Sequence, residues 1–233
     1  MASIPERSIA MDSSIVTNIR NVRAHIPEHV TLVCVSKFQP VEAILEAYQA
    51  GERHFGESRV QELQRKVPAL PADIHWHFIG HLQTNKVRDL LKLRPYLIHS
   101  VDSIHLLEAI NTEAARQGII QDVLLELHTA KETTKTGLTP DQIGLILDHC
   151  RSHLGSIRLR GCMTMATNTE DENEIRRCFT EAATFAKTLS DETVLQANPV
   201  LSMGMSDDYQ IAIECGATMV RIGSTIFGER TYN

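Results

Sequence analysis

This 233-residue chain has no excess of basic residues, no closely paired cysteines and no long apolar run. Each absence removes a class of function. Its 23 Lys and Arg stand against 29 Asp and Glu, a formal charge of −6, and the cations are scattered. No stripe is therefore available to grip a nucleic-acid backbone. No segment approaches the roughly 20 apolar residues of a membrane span. Residues Met1 to Asp12 lack the apolar core of a secretory signal and are expected to form a disordered extension ahead of one domain, 13–233. The five cysteines (Cys34, Cys150, Cys162, Cys178, Cys215) are odd in number, and no two form a Cys-x-x-Cys pair. A reduced, cytoplasmic chain with mostly core thiols fits that usage. Also missing are Gly-x-Gly-x-x-Gly after the first strand-like run, the Gly-x-Ser-x-Gly elbow and a glycine-rich loop ending in Gly-Lys-Ser/Thr.

What is present is a steady alternation of strand-like and helix-like segments without a linker or a visible repeat. Ile15, Ile19, Val22 and Ile26 recur at helical spacing behind Ser13 or Ser14 as a cap. A β-branched run follows and ends at Lys37. Further strands are expected at Arg53–Gly56, Ile74–Gly80, Leu97–Val101, Asp122–His128, Ile157–Thr164, Ala197–Ser202 and Thr218–Ile222. Apolar residues at helical spacing lie between them. Thr139-Pro140-Asp141-Gln142 reads as an N-cap, a first-turn proline and a glutamine able to close a capping box. A helix is expected to begin near Ser206, and a last short one to span Thr225–Tyr232. Eight strands each followed by a helix predict an α/β fold, a single-domain (β/α)8 TIM barrel with one extra helix in front.

Reactive groups of such barrels sit at the carboxyl ends of the strands. Lys37 occupies that place on the first strand. Burial would lower its pKa and suit it to attack a carbonyl and form a Schiff base, although the segment taken alone favours a solvated loop lysine. On the last strand, Val220 and Ile222 share one face, so Arg221 points into the barrel with Met219. A buried guanidinium needs acceptors. They are either a carboxylate in a structural ion pair or an atom of a ligand. Gly223-Ser224-Thr225 and Ser202-Met-Gly-Met-Ser-Asp-Asp208 place a glycine and hydroxyls after strands eight and seven, where barrels often bind phosphate. Ser206 could equally be a plain helix cap. His75 and His77 share a face; hydrogen bonding inside the barrel suits them better than a metal, and no metal is expected. His81, past the end of that strand, suits a pocket wall, and Lys131 and Lys135 follow strand five.

Six segments together resemble the pyridoxal phosphate (PLP) homeostasis proteins, single-domain relatives of the alanine racemase N-terminal barrel. They are Val35-Ser-Lys37, His54-Phe-Gly-Glu57 with Val60-Gln-Glu62, Trp76-His-Phe-Ile-Gly-His-Leu-Gln-Thr-Asn-Lys86, Met163-Thr-Met165, Leu201-Ser-Met-Gly-Met-Ser-Asp-Asp208 and Val220-Arg-Ile-Gly-Ser-Thr-Ile-Phe-Gly228. The resemblance implies that Lys37 holds pyridoxal 5'-phosphate as a Schiff base. It also implies that Ser206, Gly223 and Ser224 bind the phosphate and that Arg221 meets the pyridine nitrogen. Ser58, His81, Met163 and Lys135 are further candidates near the cofactor. Ser58 departs from the family's usual asparagine, which puts a contact there in doubt. Tyr48, Tyr96, Tyr209 and Tyr232 fall on expected helices or chain ends, so the second base of a racemase is not in evidence. The expected role is a monomeric carrier that buffers PLP without robust turnover and passes it to PLP-dependent apoenzymes. The alternatives are a PLP-dependent racemase-like enzyme and a cofactor-free Schiff-base aldolase.

Overall fold

A computed structural model describes residues 14–132, 136–191 and 199–228. Its strands are β1 (Thr31–Val35), β2 (His54–Glu57), β3 (His75–Phe78), β4 (Leu97–Val101), β5 (Gln121–Leu127), β6 (Ile157–Thr164), β7 (Val200–Ser202) and β8 (Met219–Ile222). They pair in parallel and in chain order, and β8 closes on β1, with Cys34 opposite Ile222. Helix α1 (Ser14–Arg23) precedes the barrel. The helices between strands are α2 (Val41–Gln49), α3 (Val60–Lys66), α4 (Val87–Lys92), α5 (Ile104–Arg116), α6 (Pro140–His153), α7 (Glu172–Asp191) and α8 (Tyr209–Glu214). A short α9 (Ser224–Phe227) follows β8.

The two sides of each strand do different work. Leu32, Phe55, Trp76, Phe78, Ile98, Val220 and Ile222 join the apolar layer between sheet and helices. Val33, Leu97, Leu124, Met163 and Met219 form a smaller apolar cluster inside the barrel. Alternation along β8 therefore separates Val220 and Ile222 from Met219 and Arg221 as the residue pattern predicts.

Side chains cap α5 at Ser103 and, as the residue pattern predicts, α6 at Thr139. Leu106 N donates to Ser103 Oγ at 3.3 Å, and Thr139 N donates to Gln142 Oε1 at 3.0 Å. Strands β4 and β6 keep the bounds read from sequence, and the others differ by one to three residues at one or both ends. The first strand stops at Val35 because its pairing with β2 ends there, opposite Gly56. Lys37 lies in the turn beyond it. The helix expected near Ser206 begins at Tyr209, after a turn. The last helix ends at Phe227, short of the expected Tyr232, because Gly228 after it takes φ 82°. Ala197, residues 229–233, Ser13 and the N-terminal extension lie outside the described residues. Among the described residues no helix is long and apolar enough to cross a membrane.

One glycine fixes how closely two strand ends approach. A Cβ on Gly80 would lie 2.2 Å from Ser58 O, the backbone just past β2. That is far inside any tolerated contact, so Gly80→Ala must separate β2 from β3. It should lower stability by about 3 kcal/mol, checked by urea unfolding; an unchanged midpoint would refute the close approach.

Candidate cofactor site at the C-terminal mouth

Lys37 is half-buried in the turn after β1, and its two neighbours are clamped from below. Lys66, on α3, donates to Ser36 O at 2.9 Å, to Glu57 Oε1 at 2.7 Å and to Glu62 Oε2 at 2.8 Å. Ser36 Oγ donates to the same Glu57 oxygen at 2.6 Å, and Phe38 N donates to Glu62 Oε2 at 2.8 Å. The carbonyl before Lys37 and the amide after it are thus held by one buried ionic cluster. Phe38 takes φ 65° within this grip, a left-handed conformation that costs an L-residue about 1–2 kcal/mol. Burial drives the Glu57 carboxyl up to about 7 despite Lys66 beside it. Burial also acts against the charge of Glu62, but Lys66 and the Phe38 amide hold it below the ordinary carboxylate range.

On the neighbouring strand ends, Ser224 Oγ donates to Ser206 Oγ at 3.0 Å, so the two hydroxyls proposed from sequence meet. The N-cap position of α8 is Asp208, not Ser206; the Asp208 side chain caps no helix amide, and its Oδ1 accepts Met205 N at 2.6 Å in the preceding turn. Gly223 packs on β1: a Cβ there would lie 3.2 Å from both Val35 O and Val35 Cβ. The bare backbone of residue 223 is thereby brought against the strand that leads to Lys37.

Arg221 points into the barrel and is 5% exposed. It donates from Nη1 to Ser202 O at 2.8 Å and Ser202 Oγ at 2.7 Å, and from Nη2 to Thr164 O at 3.0 Å. All three acceptors are neutral, so the carboxylate partner weighed from sequence is not what holds it. Burial lowers its pKa to about 10, and the guanidinium is still a cation at neutral pH.

A cavity of about 1250 Å³ opens beside the Lys37 turn, lined among others by Phe38, Ser58, Arg59, Glu62, His81 and Lys86. Ser58 and His81 therefore sit together on its wall, on the β2–β3 side, and His81 Nδ1 is 3.4 Å from Asp102 Oδ2. Ser206 and Ser224 are outside that lining. Met163 belongs to the apolar interior and pairs in register with Ser202. Lys135 lies outside the described residues, and the exposed Lys131 pairs with Glu174 at 2.9 Å.

Sequence reasoning missed three parts of this arrangement: the Lys66–Glu57–Glu62 cluster, His54 and His99. Parity along β2 and β4 would have put both histidines inside. Glu57 and Lys66 carried no signal, since charged residues near helices are usually solvated. Tyr96 is placed differently from expectation. It precedes β4 at the opposite mouth, stacked on His75 with ring centroids 4.4 Å apart. Among the described residues no group of three or more His, Cys, Asp or Glu is arranged to hold a metal.

Residues 12–231 match the family model described as alanine racemase, N-terminal domain. The chain is 37% identical over 219 residues to the pyridoxal phosphate homeostasis protein of Helicobacter pylori, covering 93% of this chain and 96% of that one. It is 41% identical over 205 residues to the protein of that name from Aquifex aeolicus, covering 86% and 87%. The chain belongs to the pyridoxal phosphate homeostasis protein family. A solved member, PipY of Synechococcus elongatus with PLP bound, superposes with a TM-score of 0.82 at 36% identity over 92% of this chain and 100% of that one. Alanine racemase from Bartonella henselae shares the fold with a TM-score of 0.73 at 14% identity, over 93% of this chain and 59% of that one.

The residues at the mouth fit the group that this family is named for. An amine, a pair of facing hydroxyls beside a bare glycine backbone and a buried guanidinium without a carboxylate complement an aldehyde, a phosphate and a pyridine nitrogen respectively.

Proposed function

We propose that this chain binds pyridoxal 5'-phosphate at the C-terminal mouth of its barrel, through a Schiff base to the Lys37 amine, and serves intracellular PLP homeostasis as a carrier. The observation that carries the reading is Arg221, a buried cation held only by neutral acceptors. A carboxylate beside it would occupy the donors that a ring nitrogen needs. In this arrangement Ser206 and Ser224 offer hydroxyls to a phosphate, and Gly223 lets backbone approach it. The clamp on Ser36 and Phe38 keeps Lys37 oriented. When bound, PLP supplies an electrophilic aldehyde and an electron-withdrawing ring. Arg221, being a permanent donor, keeps the ring nitrogen unprotonated, which weakens that withdrawal and favours holding over turnover. Ser58 and His81 serve as the wall of the adjoining cavity, while Met163 supports the interior beneath Arg221. Lys135 is assigned a secondary role near the same mouth.

As a carrier the chain acts as a monomer and gives its cofactor to PLP-dependent apoenzymes. A reducing, cytoplasmic setting agrees with the unbridged Cys34, Cys162, Cys178 and Cys215.

Borohydride reduction of the cofactor-loaded protein, followed by peptide mapping, tests the attachment. The reduced pyridoxyl group is expected on Lys37, and Lys37→Ala should lose the near-ultraviolet and visible absorption of the bound cofactor. A label on another lysine, or none, defeats the proposal. Interconversion of alanine enantiomers at an enzyme-like rate would favour a racemase instead, and aldol cleavage without PLP an aldolase.

A further inference from the structure

A continuous row of imidazoles crosses the barrel interior and ends on Arg221. His75 Nδ1 lies 3.4 Å from His54 Nε2, His54 Nδ1 lies 2.9 Å from His77 Nε2, and His77 Nδ1 lies 2.9 Å from His99 Nε2. His99 Nδ1 then lies 3.0 Å from Ser202 Oγ, the oxygen that accepts from Arg221 Nη1 at 2.7 Å. His77, His99 and Ser202 are fully buried, whereas His75 is exposed at the N-terminal mouth.

The direction of every bond in this row follows from its inner end. A guanidinium can only donate, so Ser202 Oγ accepts from Arg221. The hydroxyl has one hydrogen, and among the described residues its other hydrogen-bond contact is His99 Nδ1. His99 therefore accepts at Nδ1 and carries its proton on Nε2, which donates to His77 Nδ1. His77 and His54 repeat the pattern. The opposite register would leave a buried hydroxyl hydrogen without an acceptor, which costs more than an ordinary hydrogen bond gains. In the favoured register each ring turns its lone pair toward Arg221 and its N–H away.

We infer that this aligned row stands in for the counter-ion Arg221 lacks: His99, His77 and His54, acting through Ser202, are positioning residues that stabilise the guanidinium without neutralising it. Nearby carboxylates do not fill that role, for Glu126 is bonded to Thr136 Oγ1 at 2.8 Å and Asp208 to Met205 N at 2.6 Å. Both act on Arg221 only through space. The row thus holds the donor face of Arg221 for a ring nitrogen. That last step rests on the reading of Arg221 proposed above, while the row itself does not.

Imidazole ¹⁵N NMR on the cofactor-free protein reads the tautomers directly, independent of whether PLP binds. His54, His77 and His99 are expected all to be neutral with the proton on Nε2 at pH 7.5. A proton on Nδ1 of His99, or mixed tautomers along the row, overturns the inference. Ser202→Ala should release the register at His99, weaken PLP retention about tenfold and shift the absorption maximum of bound PLP; Ser202→Thr should restore all three. If Ser202→Ala leaves both tautomer and retention unchanged, the row is merely structural. Should Ser202→Ala fail to fold, the wild-type tautomers still decide, with His99→Gln as the second variant for retention. Loss of the adduct at Lys37 would instead defeat the cofactor reading and leave the tautomer result standing.

Discussion

Lys66→Met will lower the unfolding free energy by about 3–5 kcal/mol at pH 8, measured by urea denaturation. Lys66 is 4% exposed and is bonded to two carboxylates and one carbonyl, all buried. Removing it leaves Glu57 and Glu62 without their cation, and each already has one buried oxygen with no hydrogen-bond partner among the described residues, Oε2 of Glu57 and Oε1 of Glu62. Two like charges then share a site screened from water. Acid should relieve the variant, because a carboxyl whose native pKa is raised binds more protons folded than unfolded. Stability is gained as pH falls through the native value. Adding Glu57→Gln to Lys66→Met should return part of the loss even at pH 8. A variant as stable as wild type would mean that the cluster is reached by water and holds nothing in place. Because the same cluster grips Ser36 and Phe38, the proposed attachment of PLP at Lys37 predicts slower capture in the variant as well.

Wild-type protein should respond to acid in the opposite sense through its histidines. Burial holds His77 and His99 well below the ordinary histidine value, and His54 is lowered to about 4, first by burial and then by the neighbouring His75. A group depressed in the folded state contributes stability above its unfolded pKa and loses it as pH falls. Between pH 8 and pH 5 the two fully buried rings should lower stability, together by at most about 4 kcal/mol, the ceiling set by protonation of the two unfolded imidazoles. His54 is half-buried and adds less. Glu57 works against this trend over the same interval, its carboxyl being raised to about 7. The slope is therefore clearest in Glu57→Gln, where the counter-trend is absent. Urea midpoints taken at half-unit intervals measure it, and a flat profile in that variant would show that the imidazoles are charged or solvated.

The barrel was legible because its determinants are local. Alternation along β8, the cap at Thr139 and the spacing of Ile175, Cys178, Phe179 and Ala182 each specify an element without knowledge of its neighbours. Lys37, Ser206, Gly223 and Ser224 could be chosen because all follow strands at one mouth, and Arg221 because parity along β8 turns it inward. What escaped are relations between elements. Parity puts the two end residues of His54-Phe-Gly-Glu57 on opposite faces, but nothing in the segment names their partners, the imidazole row for one and Lys66 for the other. His99 sits among Leu97, Ile98 and Val101, where a lone histidine gives no sign that strands on either side supply partners. Tyr96 reads as a helix residue because residues near a helix end and residues near a strand start look alike in a short stretch. Arg221's partners could not be chosen between from sequence, since a backbone carbonyl leaves no residue type to recognise.

The handedness of Phe38 bears on how the mouth captures a ligand. A lysine on a loose loop surrenders backbone freedom at the moment it bonds, and that loss subtracts from affinity. Here folding has already met the conformational cost, as torsional strain beside the amine. Association then begins from a single backbone geometry, and differences in affinity among aldehydes should reflect their chemistry rather than the ordering of the receptor.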